Sequence, residues 1–219
     1  MNEENATGTH EQSTWGVGPY LGDASQDPNF AKFDPELLAN GDTRNVVDQY
    51  RYWSMEAIVA DLDTKRHGYH VAIENWQHDL NIGSIVRTAN AFMAKEVHII
   101  GNRRWNRRGA MVTDRYQHVT HRPDVQSLIE WAKTASSTGG KLPIIAIDNV
   151  PGCKQIENVQ LPNECVFLFG QEGPGLSQAA LDGADMVLEI VQFGSTRSIN
   201  ASAAAAITMH SWVMQHVFS

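Results

Sequence analysis

The chain has 219 residues, enough for one domain with a sizeable core or for one domain plus an extension. Hydrophobic residues make up 42% and charged residues 19%; no apolar run reaches the ~18 residues of a membrane span, and the polar, acidic start Met1-Asn2-Glu3-Glu4-Asn5 does not read as a secretory signal. A net charge of −8 argues against a general polyanion binder, and two cysteines, Cys153 and Cys165, supply neither a disulfide framework nor a metal quartet, so a cytoplasmic protein is the expectation.

The acidity is uneven. Nine of the 25 acidic residues but only two of the 17 basic ones fall in residues 1–48, which leaves the body of the chain close to neutral. Residues 1–30, rich in Gly, Ser, Asn, Gln and acids, have no sustained period and read as mostly disordered or loosely attached, with Trp15 and Tyr20 as possible anchors. From Asp34 to His67, apolar Val46, Val47, Tyr50, Trp53, Ile58 and Val59 recur near helical spacing opposite Glu56, Asp61 and Asp63. This predicts an amphipathic helix packed on the body or on a second subunit. We therefore divide the chain into an acidic extension, 1–68, and a body, 69–219.

From His70 the pattern alternates. Strands are expected at His70–Glu74, Val97–Ile100, Leu142–Ile147, Val166–Phe169 and Met186–Ile190. Helices are expected at Ile82–Ala94, Val125–Ser136, Ser177–Leu181 and Ile199–Phe218. Alternating β and α segments predict an α/β fold, a parallel sheet with helices on both faces.

Three junctions between these elements carry small or polar residues, the places where such sheets build ligand sites. The first is Asn81-Ile82-Gly83-Ser84-Ile85-Val86-Arg87-Thr88-Ala89-Asn90-Ala91-Phe92. The second is Leu168-Phe169-Gly170-Gln171-Glu172-Gly173-Pro174-Gly175-Leu176-Ser177. It lacks both the Gly-Lys-Ser/Thr close of a Walker loop and the Gly-x-Gly-x-x-Gly of a dinucleotide site. The third is Ser198-Ile199-Asn200-Ala201-Ser202-Ala203-Ala204-Ala205, which reads as a capped start of an alanine-rich helix. Between the first and second, residues 103–122 hold Arg103, Arg104, Arg107, Arg108, Arg115 and Arg122 against the single acid Asp114, with Trp105, Tyr116, His118 and His121 interleaved. Guanidinium groups grip phosphates and aromatic rings stack on unpaired bases, so this irregular stretch is the candidate RNA-binding surface, chiefly through Arg103, Arg104, Arg107, Arg108 and Arg115. Nine histidines invite a metal, but His118, His121, His210 and His216 have no ligand-like spacing, and no metal is expected.

Taken together, the three motifs resemble those of the SpoU/TrmH family of the SPOUT class over roughly Tyr69 to the C-terminus. Asn81, Gly83, Arg87, Ala89 and Phe92 match the first motif; Phe169-Gly170, Glu172 and Gly175 the second; Ser198-Ile199-Asn200 and Ser202 the third. Ile199 and Ala201 replace a commoner leucine and valine. The resemblance implies a SPOUT-type fold with a C-terminal trefoil knot, a homodimer, and methylation of ribose 2′-hydroxyls in tRNA or rRNA from S-adenosylmethionine. It carries catalysis to Arg87, with Asn81, Glu172 and Asn200 orienting, and the methyl-donor pocket to Ile147, Gly170, Ile190, Ser198 and Ile199. DNA and membranes are not expected partners. An RNA-binding protein without catalysis on the same scaffold is the alternative; the joint presence of Asn81, Arg87, Glu172 and Asn200 favours an enzyme.

Overall fold

The computed structural model describes residues 16–76 and 81–219, and resolves two compact units, up to residue 60 and from 61 onward. The boundary falls earlier than the one expected at 68/69. It lies inside a helix, α2 (Met55–Asp63).

The first unit corrects two expectations. Trp15 and the residues before it lie outside the described residues, but residues 16–30 form short 3₁₀ turns, Ala24–Gln26 and Phe30–Lys32. Val17 pairs with Asp42 across an antiparallel bridge, and Tyr20 packs edge-on against Tyr52 with its hydroxyl donating to Asp27. The single helix expected over Asp34–His67 is instead broken into α1 (Pro35–Asn40), a 3₁₀ turn at Asp48–Tyr50, and α2. The cause lies between them. Gly41 ends α1 at φ 88°, and the next residue, Asp42, is fully buried. Its carboxylate accepts from Arg44 Nε at 2.9 Å and from the Tyr52 amide at 3.0 Å, which folds the chain back where a helix would have continued. The apolar spacing that suggested one helix comes from residues on the 3₁₀ turn (Tyr50), on α2 (Ile58 and Val59) and on the irregular chain beside them (Val46, Val47 and Trp53).

The second unit is the expected α/β body. Seven strands, β1 (Tyr69–Asn75), β2 (Val97–Gly101), β3 (Val119–Arg122), β4 (Ile144–Ile147), β5 (Lys154–Gln155), β6 (Cys165–Phe169) and β7 (Met186–Glu189), make one sheet in the order β3-β2-β1-β6-β4-β7-β5. All six pairings are parallel. Two strands went unread in the sequence: β5, only two residues long, and β3, inside the arginine-rich stretch. The central strands β1 and β6 are buried along their whole length, as continuous apolar runs require.

The two-residue period divides the core. Val71, Ile73, Phe167 and Phe169 face one side with residues of α3 (Asn81–Ala91) and α6 (Ala201–His216). Ala72, Val166 and Leu168 face the other with α4 (Val125–Ala132) and α5 (Gln178–Gly183). Helices on both faces leave the strand ends as the open surface of the sheet. No described helix is long and apolar enough to cross a membrane.

Candidate active site

A cavity of about 460 Å³ opens at the carboxyl ends of β4, β6 and β7. The chain visits these strands out of order, so the connections leaving them diverge and a crevice remains between them. Ile147, Gly170, Ile190, Ser198 and Ile199, the five residues assigned to the donor pocket, all line it, as do Glu172 and Asn200.

The glycine-rich segment after β6 forms one wall as a tight turn. Gln171 and Gly175 exchange backbone hydrogen bonds at 3.1 and 3.2 Å, and Gly173 and Gly175 adopt φ of 97° and 72°. Gly170 is required for a different reason: a Cβ there would stand 2.2 Å from the carbonyl carbon of Gly175. Side chains from elsewhere pin the turn. Asp148, the residue after β4, accepts from the Leu176 amide at 3.1 Å. Glu74, fully buried at the end of β1, accepts from the Ser177 amide at 2.7 Å, and Ser177 caps α5. Gln171 accepts from the Trp76 amide at 2.8 Å. From the sequence, none of Glu74, Asp148 or Gln171 was given a role. The available signal was position alone, since Glu74 and Asp148 lie at the ends of apolar runs, where the open rim was expected.

The second wall is the start of α6. Asn200 caps it, its side-chain oxygen accepting from the amides of Ser202 at 2.9 Å and Ala203 at 3.3 Å. The amide nitrogen of the same side chain donates to Asn81 Oδ1 at 2.9 Å, and Asn81 Nδ2 donates to Glu172 Oε2 at 2.8 Å. One directional relay, Asn200 to Asn81 to Glu172, thus joins all three motifs at the cavity mouth. Arg87 is not part of it. Six residues along an α-helix turn through about 600°, so Arg87 leaves α3 about 120° around from Asn81 and about 9 Å further along. It is exposed and makes no hydrogen bond or ion pair among the described residues. Three of the four residues expected to act together are assembled, and the fourth stands apart.

The arginine-rich stretch is more ordered than expected. It forms 3₁₀ turns at Arg107–Ala110 and Thr113–Arg115 before entering β3. Arg103, Arg104, Arg107, Arg108 and Arg115 are exposed; Arg122, on β3, is instead stacked over Trp131 at 4.7 Å. Arg107 pairs with Asp114 at 3.2 Å and lies over the Trp105 ring at 5.4 Å. The stretch packs directly on the first turn of α3. A Cβ on Gly83 would meet Ala110 N at 2.8 Å and Asn106 O at 2.9 Å, so the glycine of the first motif is what lets the arginines approach the helix that carries Arg87.

The SpoU rRNA Methylase family profile matches residues 68–210, the span that builds both walls and the arginine surface. The chain belongs to the SpoU rRNA methylase family. Among individual relatives, the tRNA (guanosine(18)-2'-O)-methyltransferase of Borreliella burgdorferi is 38% identical over 72 residues, 33% of this chain and 33% of that protein. Its namesake from Saccharomyces cerevisiae is 40% identical over 60 residues, 27% of this chain and 4% of the relative. An uncharacterized tRNA/rRNA methyltransferase of Mycolicibacterium vanbaalenii is 28% identical over 186 residues, 79% of this chain and 56% of that protein. The chain thus spans only part of each relative's length. The fold matches the SpoU methyltransferase AviRb of Streptomyces viridochromogenes, solved with AdoMet, with a TM-score of 0.62 at 23% identity over 69% of this chain and 59% of that one. It also matches the TrmH/SpoU tRNA modifying enzyme of A. aeolicus, with a TM-score of 0.61 at 20% identity, over 74% of this chain and 83% of that one.

Proposed function

We propose that this SpoU-family chain transfers a methyl group from S-adenosylmethionine to a ribose 2′-oxygen of tRNA or rRNA. The observation that carries the reading is the charge of the cavity lining. Asp148 and Glu172 contribute carboxylates, and no lysine or arginine lines the cavity among the described residues. A nucleotide polyphosphate would meet like charge there, whereas a sulfonium cation is drawn in. The group also fits by size and polarity. The cavity volume of about 460 Å³ lies in the range of small-molecule sites, and Ile147, Ile190 and Ile199 offer apolar walls to an adenine ring.

Bound there, S-adenosylmethionine supplies an electrophilic methyl carbon, whose transfer to the ribose oxygen leaves a neutral thioether and releases the hydroxyl proton. The protein's part is alignment. The relay from Asn200 through Asn81 holds Glu172 at the cavity mouth, and the pinned turn keeps Gly170 and Gly175 against the ligand. Arg87 acts on the RNA. A guanidinium with a pKa above ~12 is a poor proton acceptor, so its role is to grip a phosphate and stabilise charge developing on the ribose oxygen. Arg103, Arg104, Arg107, Arg108 and Arg115 hold the RNA backbone, and Trp105 offers a stacking surface.

Two further parts of the reading are a homodimer and a knotted C-terminal segment, in a cytoplasmic enzyme. The dimer is supported by exposed Ile207 and Met214 on α6 and by exposed Phe218 just past its end. The test is direct. Purified protein is incubated with tRNA or rRNA and labelled S-adenosylmethionine in chelator, and ribose methylation is mapped by mass spectrometry. One dominant 2′-O-methylated position is expected. Tight S-adenosylmethionine binding with no transfer to any RNA would leave an RNA-binding protein in its place, and absence of S-adenosylmethionine binding would overturn the reading altogether.

A further inference from the structure

At the amino-terminal end of the sheet, away from the cavity, three side chains converge that the methyl-transfer reading does not use. Ala72 on β1 pairs with His98 on β2, so His70, two residues before Ala72, shares a face with His98. Glu96 shares it too, by the same two-residue period. His70 Nδ1 lies 3.1 Å from His98 Nε2, and Glu96 Oε2 lies 3.8 Å from each. The other Glu96 oxygen accepts from Thr120 of β3. Trp131 of α4 closes the group from above, its ring 5.0 Å from His70 and 4.4 Å from His98.

One hydrogen serves the face that the three side chains share. Arg122 Nε lies 3.4 Å from His98 Nδ1 and donates to it. That leaves the His98 hydrogen on Nε2, pointing at His70 Nδ1. Three basic atoms therefore face one another with a single hydrogen among them. Glu96 Oε2, at 3.8 Å, is too far to share it.

A cation can take the place of that hydrogen and be held by all three atoms. The circle through the three atoms has a radius of about 2.1 Å, which is the distance at which zinc-class ions hold imidazole nitrogen and carboxylate oxygen. We propose that His70, Glu96 and His98 form a binding site for a divalent transition-metal ion, zinc being the best-matched class, which clamps β1 to β2. Two imidazoles and one carboxylate suit Zn²⁺ or Co²⁺, while Mg²⁺ and Ca²⁺ require more oxygen ligands. The Glu96 side chain is 24% exposed, which provides a path for entry and a water for the fourth position. On binding, the His98 hydrogen moves from Nε2 to Nδ1, and Arg122 gives up its hydrogen bond while remaining stacked on Trp131. Arg122 is thus a competitor of the ion. The sequence expectation of no metal weighed histidine spacing along the chain, whereas His70, Glu96 and His98 are brought together by the pairing of two neighbouring strands.

The test uses the untagged, chelator-treated full chain, titrated with ZnCl₂ and with CoCl₂ by calorimetry and counted by elemental mass spectrometry. One ion per chain is expected, with a dissociation constant on the order of 1 μM or tighter. Tetrahedral d–d absorption bands for Co²⁺ and a rise in melting temperature with Zn²⁺ should accompany it. Glu96→Gln keeps the shape of a partly exposed side chain and should lose the ion; His98→Ala should lose it too. Arg122→Gln should bind roughly tenfold tighter, because a competing donor is replaced by an amide that accepts from His98 Nδ1–H. No saturable binding to the native chain, or one ion retained by both Glu96→Gln and His98→Ala, overturns the proposal.

Discussion

Asn200 serves two functions that substitution can separate. Its oxygen caps α6 through Ser202 and Ala203, and its nitrogen starts the relay through Asn81 to Glu172. Asn200→Ala removes both. Loss of the cap costs about 1 kcal/mol, and the lost hydrogen bond, at an exposed position, adds about 0.5 kcal/mol. For a chain of this size that lowers the melting temperature by about 3–6 °C. Asn200→Asp is nearly isosteric and keeps the cap. Its charge gains ~0.3–1 kcal/mol from the helix dipole, which offsets the lost donor, so the melting temperature should stay close to that of the parent. The relay is broken all the same. The Asn81 amide would lie between two carboxylates, and its oxygen would face one that has no hydrogen to donate. A displacement of about 1 Å at the cavity mouth is enough to reduce methyl transfer on the order of 100-fold. The assays are differential scanning fluorimetry and transfer of labelled methyl to bulk RNA. Native turnover by Asn200→Asp would remove the relay from the mechanism. A loss of stability in Asn200→Asp equal to that in Asn200→Ala would mean that capping is not what Asn200 contributes to the fold.

Arg87→Ala should abolish methyl transfer with S-adenosylmethionine affinity unchanged, because Arg87 lies off the cavity, and Arg87→Lys should fail as well, lacking the planar fork; near-native turnover by the lysine variant refutes the assigned role. Reversing Arg103, Arg104, Arg107 and Arg108 to Glu should weaken RNA binding and flatten its salt dependence in a gel-shift titration, with S-adenosylmethionine binding intact; an unchanged salt slope would move the RNA surface elsewhere. Gly170→Ala forces a methyl group to within 2.2 Å of the Gly175 backbone and should eliminate S-adenosylmethionine binding by calorimetry; native affinity there would show that the turn does not shape the pocket.

How much of this was legible beforehand follows the range of the interactions. Strand and helix periods act over a few residues, and β1, α3, β2, α4, β6 and α6 are all found near where alternation and apolar runs put them. The glycine turn and the α6 cap were readable for the same reason, since the side chain or backbone freedom that makes them lies within the motif. Even the separation of Arg87 from Asn81 is implicit in a helix of 3.6 residues per turn, although motif membership had grouped the two. Hydrogen bonds between distant segments left no local mark. The burial of Asp42, which breaks the expected 34–67 helix, depends on the amide of Tyr52 ten residues on. Glu74 finds Ser177 across 103 residues, and Asn200 finds Asn81 across 119. The histidine pair exists only because parallel pairing of β1 with β2 brings residues 70 and 98 onto one face. The sequence by itself determined most elements of the α/β body and the turn or cap local to each motif. Tertiary structure decided which motifs share a cavity and which side chains meet, because register and strand order arise from the packing of the whole core and from no single segment of it.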